Sequence, residues 1–449
     1  MLFGRVGKGA AALIVCASAA YHWQPTSHDR RWTMRMKIWI RIACSFLVAA
    51  LLPLSASAQS EIKVGSLNDF TGPTSDVGKD AALGIREAVQ YVNDTGGING
   101  KRIKLLQYDY GYRVPEAITT YKRFRDFDKV VAVFGWGTGD TEALAPTVAK
   151  DKMPYLSHSF SAFLADPKKT PYNFIYGTDY SSNARAAMTA WYDQVWLKDP
   201  RFKAERDKGV KPRFVSFYMK ACPYCSAAIK ALNDHATILG FEVGPDQDVP
   251  LTALDVKSQI IAVEGFKPHL IWHGNIVMSV ATALKDARAL GLKADHIVNN
   301  WGFDENLVKL AGPAAEGVIG PAVNAFYGEK APLMDKVVEY AKKMTPGVPQ
   351  QNRLIRTVQS WVDVLLMREA LVRADKAGKL NGPGIKEAFE SIRDWTPGLG
   401  RPPITITPTD HRPGSFVRVY RIQKGKFNLL EAVDLKKRWP DRWDKWLGW

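Results

Sequence analysis

Cysteine is scarce in this chain, with four in 449 residues. Cys16 and Cys44 fall in an N-terminal segment that the reading below removes, so Cys222 and Cys225 are what remains. That excludes a disulfide-stapled scaffold. Long apolar runs are missing after residue 60, and none there would span a bilayer. Runs of five or more basic residues are missing too, although Lys and Arg (61) outnumber Asp and Glu (45). Positive residues scattered among acidic ones describe a solvated basic surface, and no nucleic-acid partner is expected. Several catalytic signatures are absent: Gly-x-Ser-x-Gly, His-Glu-x-x-His and a Walker loop. His269 and His273 are four apart but lie on a predicted strand, so they share no helical face. No metal site, no cofactor and no enzymatic activity are expected.

What is present begins with the N-terminus. Met36-Lys37 and Arg41 are followed by an apolar run, Ile42 to Leu54, and by Ala56-Ser57-Ala58. A basic start, a short apolar core and a small-x-small site make a secretory signal peptide over 36–58, cleaved after Ala58. Residues 1–35 do not fit such a signal and are read as a mis-called upstream segment. Removing the seven Lys/Arg and one Asp of residues 1–58 takes the net charge from +16 to +10. The remainder, in a chain 46% hydrophobic and 24% charged, is long enough for two cores of ordinary domain size.

Strand and helix patterns alternate from residue 61 onward. Ile62–Phe70, Arg102–Tyr110, Val130–Gly135 and Tyr155–Ser159 read as strands, separated by helical periodicity at Lys79–Asp94, from Pro115 to about Phe127, and at Thr141–Lys150. The pattern restarts after Ser181–Leu197, with strands at Arg213–Tyr218, His269–His273 and His296–Asn300. Late strands are expected at Ile404–Thr407 and Phe416–Ile422. Repeated β-α-β units imply parallel, doubly wound sheets, and so many strands fit two α/β lobes better than one sheet. Ligands of such sheets sit beyond the carboxyl ends of the strands, so the loops after strands carry the functional reading.

The opening Ile62-Lys63-Val64-Gly65, Phe70-Thr71-Gly72-Pro73 and Gly78 resembles the type I periplasmic solute-binding proteins, and more narrowly the leucine/isoleucine/valine-binding family of ABC transporters. Tyr91-Val92-Asn93 with Gly96-Gly97-Ile98-Asn99-Gly100, the stretch from Pro154 to Ser161, Ala287-Arg288-Ala289-Leu290-Gly291-Leu292, and Gly312 to Gly317 are similar in order and spacing. The resemblance spans roughly 61–425. It implies two Rossmann-like lobes joined by a three-strand hinge: lobe 1 from 61–179 plus 320–407, lobe 2 from 180–319 plus 408–449. It also implies a periplasmic, monomeric protein that captures a small amino acid or organic acid by lobe closure and delivers it to ABC permease subunits in the inner membrane.

Two loops of the first lobe then carry the binding expectation. Trp136-Gly137-Thr138-Gly139-Asp140 joins a strand to a helix, where backbone N–H groups favour an anion. Ser157-His158-Ser159-Phe160-Ser161 follows the next strand. The resemblance places a ligand carboxylate on Thr138, Ser159 and Ser161; Gly139 adds a neutral donor at the same strand end, with Trp136 beside them. In the second lobe Tyr224, Asn275, Asn300 and Trp301 follow strands. Amino-acid binders of the family have a carboxylate where Asn300 stands, so a free amino group on the ligand is optional, and Asp140 or Asp304 are the acids that could pair one. Gly135-Trp136-Gly137-Thr138-Gly139 lacks the context of a dinucleotide loop. Cys222-Pro223-Tyr224-Cys225 opens a helix after a strand and carries two readings: a disulfide, or the active site of a thiol-disulfide oxidoreductase.

Overall fold

The computed structural model describes residues 61–449. The expected signal peptide and upstream segment lie outside the described residues. Strands form where apolar residues occupy both faces. β1 (Glu61–Asn68) is buried along most of its length, and β3 (Ala132–Gly135) at every residue, as in a sheet covered by helices on two sides. With β2 (Arg102–Asp109), β4 (Tyr155–Ser157) and β5 (Asn173–Ile175) they form an all-parallel sheet of order β2-β1-β3-β4-β5. Helix Ser75–Asp94 links β1 to β2 and turns Val77, Ala81, Ile85, Ala88 and Val92 inward. It stops at Gly96-Gly97. Gly97 has φ +61°, and a Cβ there would come within 2.1 Å of the Lys101 carbonyl oxygen, so the turn requires glycine.

The second sheet takes β6 (Arg213–Tyr218), β7 (Glu242–Val243), β8 (Gln247–Asp248), β9 (Leu270–His273), β10 (Asp295–Val298), β11 (Ile319–Ala322), β12 (Phe416–Gln423) and β13 (Lys426–Asp434). Its order is β13-β12-β11-β10-β9-β6-β7, with β8 also on β6. It is parallel from β6 to β11, and the β12–β13 hairpin closes one edge antiparallel. Helix Tyr180–Trp191 packs against β11, β12 and β13. Helices Met334–Met344 and Ile355–Lys376 pack instead on Ser75–Asp94, and Gly382–Glu390 packs on Ile355–Lys376. The chain therefore passes between the two lobes three times, after β5, after β11 and before β12. No helix among the described residues is long and apolar enough to cross a membrane.

Three details differ from the sequence reading. Ile404–Thr407 is not a strand: Ile404 and Thr407 make only isolated bridges, to Trp395 and Asp410. Pro402, Pro403 and Pro408 flank the segment and remove the donors a ladder needs. β13 was not expected, because its exposed face carries Lys426, Asn428 and Leu429 in place of an apolar alternation. β11 keeps Gly320, Pro321 and Ala322 in the second sheet, just past the expected crossing at 319/320.

Candidate solute-binding cleft

Both sheets reverse their winding once, at β1/β3 in the first and β6/β9 in the second, and the loops leaving these strands diverge there. The two crevices face one another. Between them lies a narrow cavity, lined by Thr74, Trp136 and Thr138 from the first lobe and by Tyr224, Ile276 and Trp301 from the second. Val77, Tyr112, Gly137 and Tyr180 complete the wall. The lobes are closed on each other, leaving a cavity of only about 20 Å³. The Trp136 and Trp301 rings meet edge to face across it at 5.2 Å.

Each wall residue is held by a specific partner. Trp136 Nε1 donates to Thr74 Oγ1 (2.9 Å), and Thr74 in turn donates to Asp69 Oδ2 (2.7 Å). Trp301 Nε1 donates to the Tyr180 hydroxyl (3.0 Å), and Tyr180 stacks edge to face on Tyr224 at 5.3 Å. Thr138 Oγ1 and Ser159 Oγ share a 2.7 Å hydrogen bond, so Ser159 supports Thr138 from behind the wall. Thr138 also begins helix Thr138–Asp151, whose first N–H groups have no intrahelical acceptors. Gly137 leaves no room for a side chain: a Cβ would lie 2.2 Å from Asp140 Oδ1 and 2.6 Å from the Tyr112 ring. Tyr112 itself sits at φ +58°, a costly conformation for a bulky residue that presents its ring to the cavity.

Other expected residues point elsewhere. Ser161 Oγ donates to Glu142 (2.6 Å) in a separate outer depression beside Lys220 and Trp449. Asn275 is committed to backbone: Oδ1 accepts from Met219 N (2.9 Å) and Nδ2 donates to Val249 O (2.8 Å). That joins the loops after β6, β8 and β9 and positions Ile276. Gly139 lies against Pro223 of the opposite lobe, where an added Cβ would be 3.4 Å from its ring. Asn300 is buried with neither amide atom hydrogen-bonded. Phe303 belongs to the second lobe's core. Thr74, Tyr112 and Tyr180 were missed; the first two lie in turns and Tyr180 opens a helix, and the signal that could have found them is their position directly after β1, β2 and β5.

No ionised side chain lines the cavity. Asp304 is paired with Arg356 at 3.1 Å, both fully buried. Asp140 turns to the Tyr110 hydroxyl (2.8 Å). Behind the tryptophans, His158 Nδ1 lies 3.3 Å from Asp363 Oδ2 and Nε2 lies 3.2 Å from Ser360 Oγ. Burial holds His158 down at about 3, so it is neutral near pH 7, and burial pushes the Asp363 carboxyl well above the usual carboxylate range.

Burial likewise pushes Asp140 up to about 7. A carboxyl whose folded pKa exceeds its unfolded value near 3.8 favours the folded state fully below pH 3.8, and that contribution is lost as pH rises through about 7. Asp140→Asn, which keeps an acceptor for Tyr110, is therefore expected to gain about 1–3 kcal/mol on wild type between pH 5 and pH 8. Urea unfolding at the two pH values checks this; a difference independent of pH would contradict it.

Cys222 and Cys225 form a disulfide, and both are buried, at 5% and 1% exposure. Tyr224, held between them, faces the cavity. The pair frames a wall residue and offers no accessible thiol, which removes support for the oxidoreductase reading.

The sequence profile described as periplasmic binding protein matches residues 61–426. The chain belongs to the periplasmic binding protein family. A Leu/Ile/Val-binding protein homolog 7 of Brucella abortus is 33% identical over 352 residues, covering 77% of this chain and 84% of that protein. Among solved structures of this family's fold, a branched chain amino acid ABC transporter protein from Thermus thermophilus with bound valine superposes with a TM-score of 0.74 at 20% identity, over 83% of this chain and 96% of that one. A solute-binding protein of an ABC transporter from Rhodopseudomonas palustris, in complex with 3,4-dihydroxybenzoic acid, gives 0.67 at 18% identity, over 83% and 97%. A periplasmic binding protein of this type is two lobes around a cleft, the arrangement built above.

Proposed function

We propose that this protein is the periplasmic receptor of an ABC importer, acting as a monomer that closes its lobes over one small organic solute and delivers it to the inner-membrane permease. It acts by binding and not by catalysis. The signal peptide over 36–58 is removed after Ala58, and N-terminal sequencing of exported protein beginning elsewhere than Gln59 would contradict that step. Lobe 1 comprises 61–179 and the segment from after Ala322 to 407; lobe 2 comprises the rest of the mature chain.

The solute we assign is a small carboxylate with an apolar or aromatic body. The observation that carries this is the wall itself: tyrosine and tryptophan rings, hydroxyl donors and a helix start, with no ionised group. Thr138, supported by Ser159, and the N–H groups at Thr138 and Gly139 are donors that can hold a carboxylate without a buried cation. Trp136, Trp301 and Tyr224 suit an apolar or aromatic ring. An ammonium enclosed among these groups would have no counter-charge, and burying one is costly; Asp140 and Asp304 are both engaged elsewhere.

A branched-chain amino acid is the second reading, favoured by the Brucella abortus relative's name and by the valine in the Thermus thermophilus structure. The dihydroxybenzoic acid of the Rhodopseudomonas palustris protein favours the first. A thermal-shift screen followed by calorimetry separates them, using leucine, isoleucine, valine, phenylalanine, their desamino acids and hydroxybenzoates. Binding by a desamino acid or a benzoate at least as tight as by its amino acid is expected. A large shift with leucine and none with its desamino analogue would overturn the assignment.

A further inference from the structure

Away from the cleft, where the chain crosses between lobes, lies a groove of about 1000 Å³ whose wall includes Arg401 and Arg418. Arg401 follows the tight turn at Leu399-Gly400, both at positive φ (55° and 65°), and its Nε donates to the carbonyl of Tyr176 (3.0 Å) at the first crossing. Arg418 stands on β12, opposite Ala322 at the end of β11. Gly400 leaves room beside Arg418: an added Cβ would lie 3.0 Å from Ala325 and 3.3 Å from Arg418 Nη1.

Neither arginine has a carboxylate within ion-pair distance among the described residues. The acids of the groove do not pair with them: Asp410 is paired with Arg412 at 2.7 Å, Asp394 accepts from Thr405, and Asp444 lines the same groove without an ion pair to either arginine. Arg401 is only 5% exposed, yet its Nη2 has no hydrogen-bond partner, and Arg418 leaves both Nε and Nη2 unpartnered. Two adjacent cations, one almost wholly buried, with three nitrogens unsatisfied, are unfavourable as they stand. Burial and the neighbouring Arg418 charge depress Arg401 to about 9, which expresses the same imbalance.

The Nε–Nη2 edge of an arginine is a fork matched to two oxygens of one oxyanion. We propose that a small oxyanion, a phosphate or a carboxylate, binds at this hinge groove against the guanidiniums of Arg401 and Arg418, which turn their unsatisfied N–H groups to it. Arg401 is tied to the first crossing through Tyr176, and Arg418 stands just past the third, on β12 beside the end of β11, so the anion ties those crossings together. This site is independent of the solute in the cleft.

Calorimetry and thermal unfolding of the mature protein with inorganic phosphate, and separately with acetate, test the proposal and distinguish the two sources. Saturable phosphate or acetate binding with a raised unfolding midpoint is expected. Arg418→Lys retains the charge but loses the fork and should weaken that binding at least tenfold, with its circular dichroism unchanged. Arg401→Gln should weaken it as well; if that variant does not fold, Arg418→Lys alone decides. Absence of binding by wild type to both anions, or wild-type affinity in Arg418→Lys, would overturn the site.

Discussion

Arg353→Ala is expected to lower the free energy of unfolding by about 3–5 kcal/mol, the usual cost of removing one partner from a buried ion pair. Arg353 begins the approach to helix Ile355–Lys376 and is fully buried. Its Nη1 and Nη2 grip both oxygens of Glu87 (2.8 and 2.7 Å), and its Nε lies 3.1 Å from Asp80. Both carboxylates come from helix Ser75–Asp94, so the network pins one long helix to another within the first lobe. Without the guanidinium, Glu87 keeps only the hydroxyl of Thr345 (2.9 Å) as donor. Burial already pushes Asp80 up to about 6 in the presence of Arg353. In the variant Asp80 should take up a proton on folding, so the variant's deficit should be smaller at pH 5 than at pH 8. Adding Glu87→Gln should recover part of the loss. Urea unfolding at both pH values measures all of this, and a cost below about 1 kcal/mol would show that Arg353 acts as a surface pair does.

Arg356, three residues on, should behave differently. Arg356→Ala removes a pair that crosses the cleft: Nη2 lies 3.1 Å from Asp304 and donates to the Asn300 carbonyl (2.8 Å), and the guanidinium stands 4.6 Å over the Trp301 ring. Its helix packs on the first lobe, while Asp304, Asn300 and Trp301 follow β10 in the second. Asp76 and Glu305 also face this guanidinium, and burial together with Asp304 pushes them up to about 6 and 7. Deleting the cation leaves these acids enclosed together. Opening the lobes returns them to water, so the cost of about 3–5 kcal/mol falls on the closed form and not on folding. Expected results are a larger radius of gyration by small-angle X-ray scattering, a solute affinity at least tenfold weaker, and an unfolding midpoint nearer wild type than that of Arg353→Ala. An unchanged scattering profile and affinity would refute the crossing clamp.

Neither arginine was legible in the sequence. Arg356 sits in a helix and Arg353 just before it, where a charged residue reads as a solvated face, and their partners are distant in the chain. The β-α-β alternation was legible because strands such as Ala132–Gly135 are apolar on both faces. Trp136, Thr138, Tyr224 and Trp301 were legible for a topological reason: each follows a strand, the first three where the winding reverses and Trp301 after β10. Ser161 and Asn275 satisfy the same rule of position yet turn to Glu142 and to backbone, because rotamer choice depends on neighbours that spacing does not reveal. β13 escaped for lack of apolar alternation, and Ile404–Thr407 was misread because its branched residues outweighed the flanking prolines.

The edge-to-face contact of Trp136 with Trp301 makes the molecule its own optical reporter. Both rings are nearly dry in the closed form, at 7% and 5% exposure, and each rides on a different lobe. Trp191, Trp272 and Trp361 are sealed inside the lobes and stay dark to water whatever the hinge does. Opening should therefore wet the facing pair selectively, shift the emission to longer wavelength and admit a soluble quencher. The opening and closing of the lobes can be followed in real time without attaching a dye.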